Sequence, residues 1–301
     1  MKKNKTKFRN VGLMLGGGGA KGAYQLGVIR ALEEYKLIPR IKAVSGVSIG
    51  AINGLLVATK VDLETRKAVW ANFTNKNIYQ KTFRSFSLEE LGLFKTDHLF
   101  NDVKSLIDEE KIKKSKVDTF ILVARPPEKG FLKNIRFKNF IGKTIHLNKS
   151  ERPLEYINAS TAMPFVFRAQ SIEEARYVDG GVVNNFPVET LIDRGYKVII
   201  TCALSDRFDV YSYAPDVTLI DLSPPESLGP FPQVSLNFDE SAMAGFEREG
   251  YNNTVLMIKL LKAMKHLTFF RRFKFKAPTI ITIKDVLSLT NVNSNQDEKN
   301  D

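Results

Sequence analysis

The chain carries VGLMLGGGGAKG at residues 11–22 and IKAVSGVSIG at residues 41–50. In each stretch a short apolar run, typical of a buried strand, ends at glycines, and a segment with helical spacing of apolar residues follows. Two strand–turn–helix units so close together indicate parallel strands joined by crossover helices. The sequence therefore predicts an α/β fold with three layers, α/β/α, in which helices cover both faces of a mainly parallel central sheet.

The composition is that of an ordinary globular protein, with 301 residues of which 43% are hydrophobic and 26% are charged. The net charge of +12 indicates an anionic partner such as a membrane surface, a nucleic acid or an acidic protein. The single cysteine, Cys202, excludes an intramolecular disulfide and fits a reducing compartment. No apolar run reaches the roughly 20 residues of a membrane-spanning helix. We expect a cytoplasmic protein with peripheral contact at the membrane.

Changes in composition divide the chain into four parts. Residues 1–10 form a basic N-terminal arm, and residues 11–205 form the α/β core. Residues 206–290 read as a C-terminal extension, mostly helical, that packs on this core. The polar tail, residues 291–301, has the composition of a disordered segment.

A serine hydroxyl needs an exposed, sharply turned position to act as a nucleophile. The pattern Gly46-x-Ser48-x-Gly50 supplies one, because it follows an apolar strand and opens a helix. The glycines allow neighbouring backbone to pass close to the turn. The pattern also occurs by chance, but its place between strand and helix favours a functional serine.

The glycine-rich stretch at residues 16–22 is suited to binding an anion through its backbone N–H groups at a helix N-terminus. A nucleotide pyrophosphate and a tetrahedral oxyanion both fit. Gly17-x-Gly19-x-x-Gly22 matches the dinucleotide fingerprint, which also requires an acid about 20 residues later, at the end of the next strand. That strand ends in Ser45-Gly46 with no acid, so we favour an oxyanion hole over a nucleotide site.

The identity of the general base is the open question. The chain has three histidines, His98, His146 and His266. A triad in the order serine, acid, histidine would have to use His266, which lies in a lysine-rich helix end. Asp179 is the better candidate, since it follows a strand-like stretch and precedes Gly180-Gly181. The competing interpretation is an ordinary Asp-Gly turn.

Taken together, these motifs resemble the patatin-like phospholipases. That family joins a Gly-Gly-Gly-x-Arg/Lys-Gly loop, a Gly-x-Ser-x-Gly elbow and an Asp-Gly-Gly or Asp-Gly-Ala element, and all three occur here in the family's order. Ala159-Ser160, Pro164 and Phe167 also look like the stretch that precedes the family's aspartate. The resemblance covers residues 10–205. Leu15, where plant members carry aspartate, and Lys21, which replaces arginine, depart from the commonest form.

The resemblance implies a patatin-like fold and a catalytic Ser–Asp dyad. Ser48 would be the nucleophile, Asp179 the base, and the backbone of Gly17, Gly18 and Gly19 the oxyanion hole. The remaining motif positions would support these elements; they are Lys21, Gly22, Gly46, Gly50, Gly180 and Gly181.

The expected function is hydrolysis of fatty-acyl esters in phospholipids or related lipids, without a metal or another cofactor. The basic arm and the segment at residues 271–276, RRFKFK, would contact an anionic membrane. We expect no nucleic-acid partner, since no recognition motif is present. Two alternatives stay open, namely a Rossmann-like nucleotide-binding protein and a non-catalytic membrane-binding protein.

Overall fold

The computed structural model describes residues 10–79, 94, 104–105, 107–127, 137–213, 217–263, 267–268, 272–273 and 279–288. Four predicted features lie outside the described residues. They are residues 1–9 of the basic arm, the polar tail, the side chains of the basic segment 271–276, and the histidines His98 and His266.

A mainly parallel sheet forms the centre of the described structure. Its strands are β1 (Val11–Leu15), β2 (Ile41–Gly46), β3 (Asp118–Arg125), β4 (Ile141–His146), β5 (Gln170–Ile172), β6 (Ala175–Asp179), β7 (Val198–Cys202), β8 (Thr218–Asp221) and β11 (Ile280–Thr282). They lie in the order β11-β8-β7-β1-β2-β3-β6-β5, and β4 pairs with β3. Strands β4, β5 and β6 pair antiparallel, whereas the other strands pair parallel. A separate two-stranded ribbon joins β9 (Leu267–Thr268) to β10 (Arg272–Phe273).

The helices of the described residues are α1 (Ala23–Glu34), α2 (Ile49–Ala58), α3 (Leu63–Ala71), α4 (Asn75–Ile78), α5 (Glu109–Lys113), α6 (Pro153–Thr161), α7 (Glu189–Ile192) and α8 (Glu240–Ala263). Residues 283–288 are helical as well. Within this part of the chain, no helix combines the length and the apolar character that crossing a bilayer requires.

Alternate residues of the central strands enter hydrophobic cores on opposite faces of the sheet. In β1, Leu13 and Leu15 join the large core under α1, α2, α6 and α8, whereas Met14 joins a second core with Leu191 of α7. Both faces are thus covered, which is why β1 and β7 are buried along their whole length. The predicted α/β fold with a mainly parallel sheet is confirmed.

The region after residue 205 is joined to this sheet and to α1. Strands β8 and β11 extend the sheet beyond β7. Helix α8 lies so close to α1 that a Cβ atom on Gly27 would overlap the carbonyl oxygen of Glu247, and one on Gly250 would overlap that of Tyr24. An ion pair of 2.7 Å between Arg30 and Glu247 crosses the same contact. One continuous sheet therefore spans the boundary that the sequence analysis draws at residue 205.

Candidate active site

Ser48 lies at a sharp turn between β2 and α2. Its backbone is in the left-handed region, with φ 54° and ψ −128°, which residues other than glycine rarely adopt. The turn is tight on both sides: a Cβ atom on Gly46 would press on the backbone of Gly50, and one on Gly50 would overlap the carbonyl oxygen of Leu15. The two glycines of the elbow are therefore required by space, and the serine between them is held in a strained conformation.

The sheet register brings Asp179 to the height of Ser48. Gly46 of β2 is paired with Ile121 of β3, and two residues further along β3, Val123 is paired with Asp179. Ser48 follows Gly46 by the same two residues. Strand β6 lies between β3 and β5 and runs antiparallel to β3, so Asp179 comes level with Ser48 although its own strand runs in the opposite direction.

Asp179 is buried, and hydrogen bonds hold both its backbone and its side chain. Its backbone N–H donates to the carbonyl oxygen of Ala162 over 2.9 Å, and its Oδ1 accepts from the N–H of Gly181 over 2.7 Å. Burial raises the pKa of this carboxyl to about 6, against the opposing effects of the Ser48 hydroxyl and the Gly181 amide. The carboxyl is therefore ionised at neutral pH and still basic enough to accept a proton.

The second oxygen, Oδ2 of Asp179, has no hydrogen-bond partner of ordinary geometry among the described residues. The Ser48 hydroxyl is near enough to the carboxyl to lower its pKa, although Oδ2 itself has no partner of regular hydrogen-bond geometry among the described residues. A buried carboxylate oxygen without a donor is costly unless a proton or a donor arrives during function. This oxygen is therefore available to accept a proton from Ser48.

The glycine-rich turn passes directly beside Ser48. A Cβ atom on Gly17 would lie 3.1 Å from the Cβ atom of Ser48. Gly16 anchors the turn by donating its N–H to the carbonyl oxygen of Cys202 over 3.0 Å. Among the described residues, no hydrogen bond occupies the N–H groups of Gly17 or Gly18. These amides remain available for an anion that forms next to Ser48.

The far side of the glycine turn is held by a loop from the C-terminal third of the chain. Gly19 has φ +58°, and a Cβ atom there would overlap the carbonyl oxygen of Ser235, which accepts the N–H of Ala20 over 2.9 Å. The ammonium group of Lys21 donates to the carbonyl oxygen of Gly229. Burial lowers the pKa of Lys21, and Asp206 opposes that effect. Lys21 thus fastens a supporting loop to the turn.

Ser160 of α6 positions the backbone of the elbow. Its Oγ accepts the N–H of Ser48 over 3.1 Å and donates to the carbonyl oxygen of Leu122 over 2.7 Å. The Ala159-Ser160 pair is part of the family pattern in the sequence, but the pattern does not indicate this contact. The buried hydroxyl ties the elbow to β3.

Asn185 is a site residue that the sequence analysis does not single out. Its Nδ2 donates to the carbonyl oxygen of Gly17 over 3.2 Å, and its Oδ1 fills the space beside Gly17 and Gly181. One side chain thus spans the glycine turn and the Asp-Gly-Gly turn. The only sequence signal is the pair Asn184-Asn185, which follows Gly181 by three residues.

His146 lies away from these groups. Its Nε2 is 3.1 Å from Oδ1 of Asp118, the first residue of β3, whereas Asp179 pairs with Val123 near the other end of that strand. Burial lowers the pKa of His146, and the neighbouring Asp118 opposes this. Among the residues that the structure describes, no group of three His, Cys, Asp or Glu side chains is placed to hold a metal ion.

Comparisons with known proteins match this geometry to a family. A model described as patatin-like phospholipase matches residues 13–192. A lysophospholipase of Mycosarcoma maydis is 28% identical over 221 residues, which are 73% of this chain and 10% of that protein. A patatin-like phospholipase domain-containing protein of Caenorhabditis elegans is 27% identical over 274 residues, which are 87% of this chain and 18% of that protein. The chain thus spans less than a fifth of the length of these two relatives.

Human GIVD cytosolic phospholipase A2 has a similar structure, with a TM-score of 0.50 and 10% sequence identity, over 88% of this chain and 61% of that chain. At this identity the likeness concerns the fold. The family model, in contrast, covers more than half of the sequence and includes every predicted site residue. The chain belongs to the patatin-like phospholipase family.

Proposed function

We propose that this protein is a lipid acyl hydrolase of the phospholipase A or lysophospholipase type, which works through a Ser48–Asp179 dyad. One observation carries the proposal: a strained serine stands beside a buried carboxyl whose pKa is about 6 and whose Oδ2 lacks a regular partner. A structural Asp-Gly turn would not need such a carboxyl. The names of the relatives support the choice of lipid esters as substrates.

In the first step, Oγ of Ser48 attacks the ester carbonyl carbon while Oδ2 of Asp179 accepts the hydroxyl proton. The carbonyl oxygen becomes an oxyanion, which the N–H groups of Gly17, Gly18 and Gly19 stabilise. When the tetrahedral intermediate collapses, the bond to the lipid alcohol breaks. Asp179 then returns the proton to the leaving oxygen, and an acyl-Ser48 ester remains.

In the second step, the Asp179 carboxylate removes a proton from water as the water oxygen attacks the acyl carbonyl carbon. The oxyanion forms again beside the same glycine amides. Collapse then breaks the bond to Ser48 Oγ, which takes the proton back from Asp179. The product is a free fatty acid, and the dyad returns to its starting state. This cycle uses neither a metal nor another cofactor.

Fatty-acid release from mixed phospholipid vesicles in the presence of a calcium chelator tests the proposal. We expect Ser48→Ala and Asp179→Asn to abolish release while both variants keep the wild-type circular dichroism. His146→Ala is the matched control, since that side chain lies beside Asp118, and it should keep wild-type activity.

A fluorophosphonate probe should label the wild type and not Ser48→Ala, because it reacts with an activated serine. Release that survives Asp179→Asn, or is lost in His146→Ala, would contradict the dyad. A wild type that binds NAD tightly and resists the probe would support the nucleotide-binding alternative instead.

A further inference from the structure

Four apolar side chains near the candidate site are exposed to solvent. They are Phe137 (43% exposed), Ile141 (69%), Phe165 (39%) and Val183 (43%). We term Phe137, Phe165 and Val183 the Phe137 patch. Single exposed apolar residues are common on protein surfaces, whereas contiguous ones mark an interaction surface.

The two rings of the Phe137 patch are in direct contact, and Val183 lies next to β4. The rings of Phe137 and Phe165 pack edge to face with centroids 6.1 Å apart. Val183 packs beside β4, since a Cβ atom on Gly142 would lie 3.2 Å from its Cγ1, whereas the preceding residue, Ile141, faces the opposite side of the strand. Segments from three parts of the chain therefore meet in one apolar surface.

A small buried core supports the patch from below. It consists of Ala124, Phe140 and Val178 and is separate from the two large cores. The ring of Phe140 packs against that of Phe137 with centroids 5.6 Å apart. The exposed rings are thus mounted on ordered structure.

Phe165 is held outward by its backbone. Its φ is +71°, in the left-handed region that a bulky residue rarely adopts. The turn is fixed on its far side, where the N–H of Phe167 donates to the carbonyl oxygen of Met163 over 2.8 Å. A strained conformation that exposes an aromatic ring is typical of a functional surface.

The patch borders the candidate active site along two segments. Phe165 follows Ser160 and Ala162, which hold the backbones of Ser48 and Asp179. Val183 follows Asp179 by four residues, and its N–H donates to the carbonyl oxygen of Gly180 over 2.9 Å. An apolar surface that seats these segments lies next to the site.

One lysine, Lys138, adjoins the patch. Of the other two in residues 137–150, Lys143 contacts the hydroxyl and ring of Tyr177. Lys149 lies near His146 at the other end of β4. Lys138 is exposed beside Phe137. Apolar rings next to a cation match the boundary between the acyl chains and the anionic headgroups of a membrane.

We propose that the Phe137 patch is the surface by which this protein inserts into anionic phospholipid bilayers, so that its active site faces the lipid. The inference rests on the proposed function for the substrate but on the patch itself for binding. Water-insoluble esters have to leave the bilayer to reach Ser48, and an apolar surface at the site shortens that path.

The test measures flotation of Ser48→Ala protein, which cannot hydrolyse the lipid, with vesicles of phosphatidylcholine and phosphatidylglycerol. Adding Phe137→Ser or Phe165→Ser should weaken binding by about tenfold for each ring, since each loses the burial of its exposed area. Lys138→Ala should weaken binding by about fivefold, and only when phosphatidylglycerol is present. Tyr211→Ser is the matched control, because this ring is 61% exposed and lies outside the patch.

Hydrolysis is measured separately, with Ser48 intact. Phe137→Ser and Phe165→Ser should release less fatty acid from vesicles and keep the wild-type rate on a short, water-soluble ester. If the wild type binds vesicles through the patch but hydrolyses neither substrate, the membrane surface stands and the proposed function fails.

Three results would overturn the inference. The wild type does not float with the vesicles, the patch variants bind as well as the wild type, or Tyr211→Ser loses as much affinity as they do. Sedimentation velocity covers a fourth case: a wild-type dimer that the patch variants convert to a monomer would assign this surface to a second copy of the chain.

Discussion

The backbone of Ser48 is strained, at a cost of order 1–3 kcal/mol for a residue held in the left-handed region. Ser48→Gly removes that strain, because glycine adopts positive φ without a steric penalty, although glycine also gains freedom in the unfolded chain. We expect this inactive variant to be more stable than the wild type by about 1 kcal/mol. Urea denaturation measures the difference. Ser48→Ala, equally inactive but still strained, should not gain stability, and equal gains in both variants would contradict the assignment.

The Asp179 carboxyl links activity to pH. Burial raises its pKa from 3.8 to about 6 in the folded protein. Since the base has to be ionised, kcat/KM should fall as the pH drops through about 6. A pH profile on a soluble ester measures this.

The same shift affects stability with a definite sign. Below pH 3.8 the Asp179 carboxyl is protonated in both the folded and the unfolded state. As the pH rises from 3.8 to about 6, the carboxyl of the unfolded chain ionises first, so the free energy of unfolding of the wild type falls. Asp179→Asn does not titrate. Its free energy of unfolding should therefore exceed that of the wild type by up to about 3 kcal/mol above this window and by much less below it. An advantage that does not change with pH would contradict the raised pKa.

Asn185 holds the glycine turn through its Nδ2 atom. Asn185→Ala should lower kcat by about tenfold to a hundredfold, because small displacements of catalytic groups have effects of that size. Asn185→Asp should lower kcat as well and also move the acid limb of the pH profile upward, since a second carboxylate near the Asp-Gly-Gly turn raises the pKa of Asp179. A purely structural role for Asn185 would leave the acid limb unchanged in both variants.

At the scale of secondary structure, the contact between α1 and α8 depends on backbone proximity at Gly27. Gly27→Ala places a methyl group against the carbonyl oxygen of Glu247 and should lower the free energy of unfolding by about 3 kcal/mol. Gly245→Ala is the control on α8, because a Cβ atom there meets nothing within 4 Å. That variant should gain up to about 1 kcal/mol from helix propensity. Thermal unfolding measures the stability of both variants. A change in the same direction in both would contradict the close packing of α1 against α8.

Sequence reasoning predicts the elements whose signals are local. A few adjacent residues are enough to predict the turns around Gly16–Gly22 and Gly46–Gly50, and the repeated strand–turn–helix unit predicts the fold. Asp179 illustrates a different case. The rule that sites gather at the carboxyl ends of parallel strands favours Asp179, yet β6 is an antiparallel strand within the sheet.

Contacts over long sequence distances could not be predicted. Lys21 and Gly229 lie 208 residues apart, and a backbone carbonyl leaves no trace in the side-chain pattern. Asn185 is a further example, since polar residues after a turn have many uses. The catalytic roles of Ser48 and Asp179 stay predictions until the variants are measured.

For the whole molecule, the C-terminal third is a structural part of the site. A chain that ends at residue 205 lacks β8, β11 and α8 together with the loop that holds Gly19 and Lys21. The edge of β7 and the face of α1 would then be uncovered. We expect this shortened chain to be insoluble or to lack a cooperative unfolding transition. A chain that ends at residue 290 keeps every described element and should unfold like the full protein; cooperative unfolding of the shorter chain would restore a boundary at 205.

The burial of Cys202 provides a native probe for local opening of the fold. Its side chain lies in the large hydrophobic core against the central sheet, and burial raises the pKa of the thiol well above its usual range. Because the thiolate is the reactive form, a maleimide or disulfide reagent can modify it only after this part of the sheet has parted. The same residue accepts the N–H of Gly16 through its carbonyl oxygen. The rate at which a thiol reagent modifies this native cysteine therefore measures how often the structure beneath the glycine turn opens, without an introduced label.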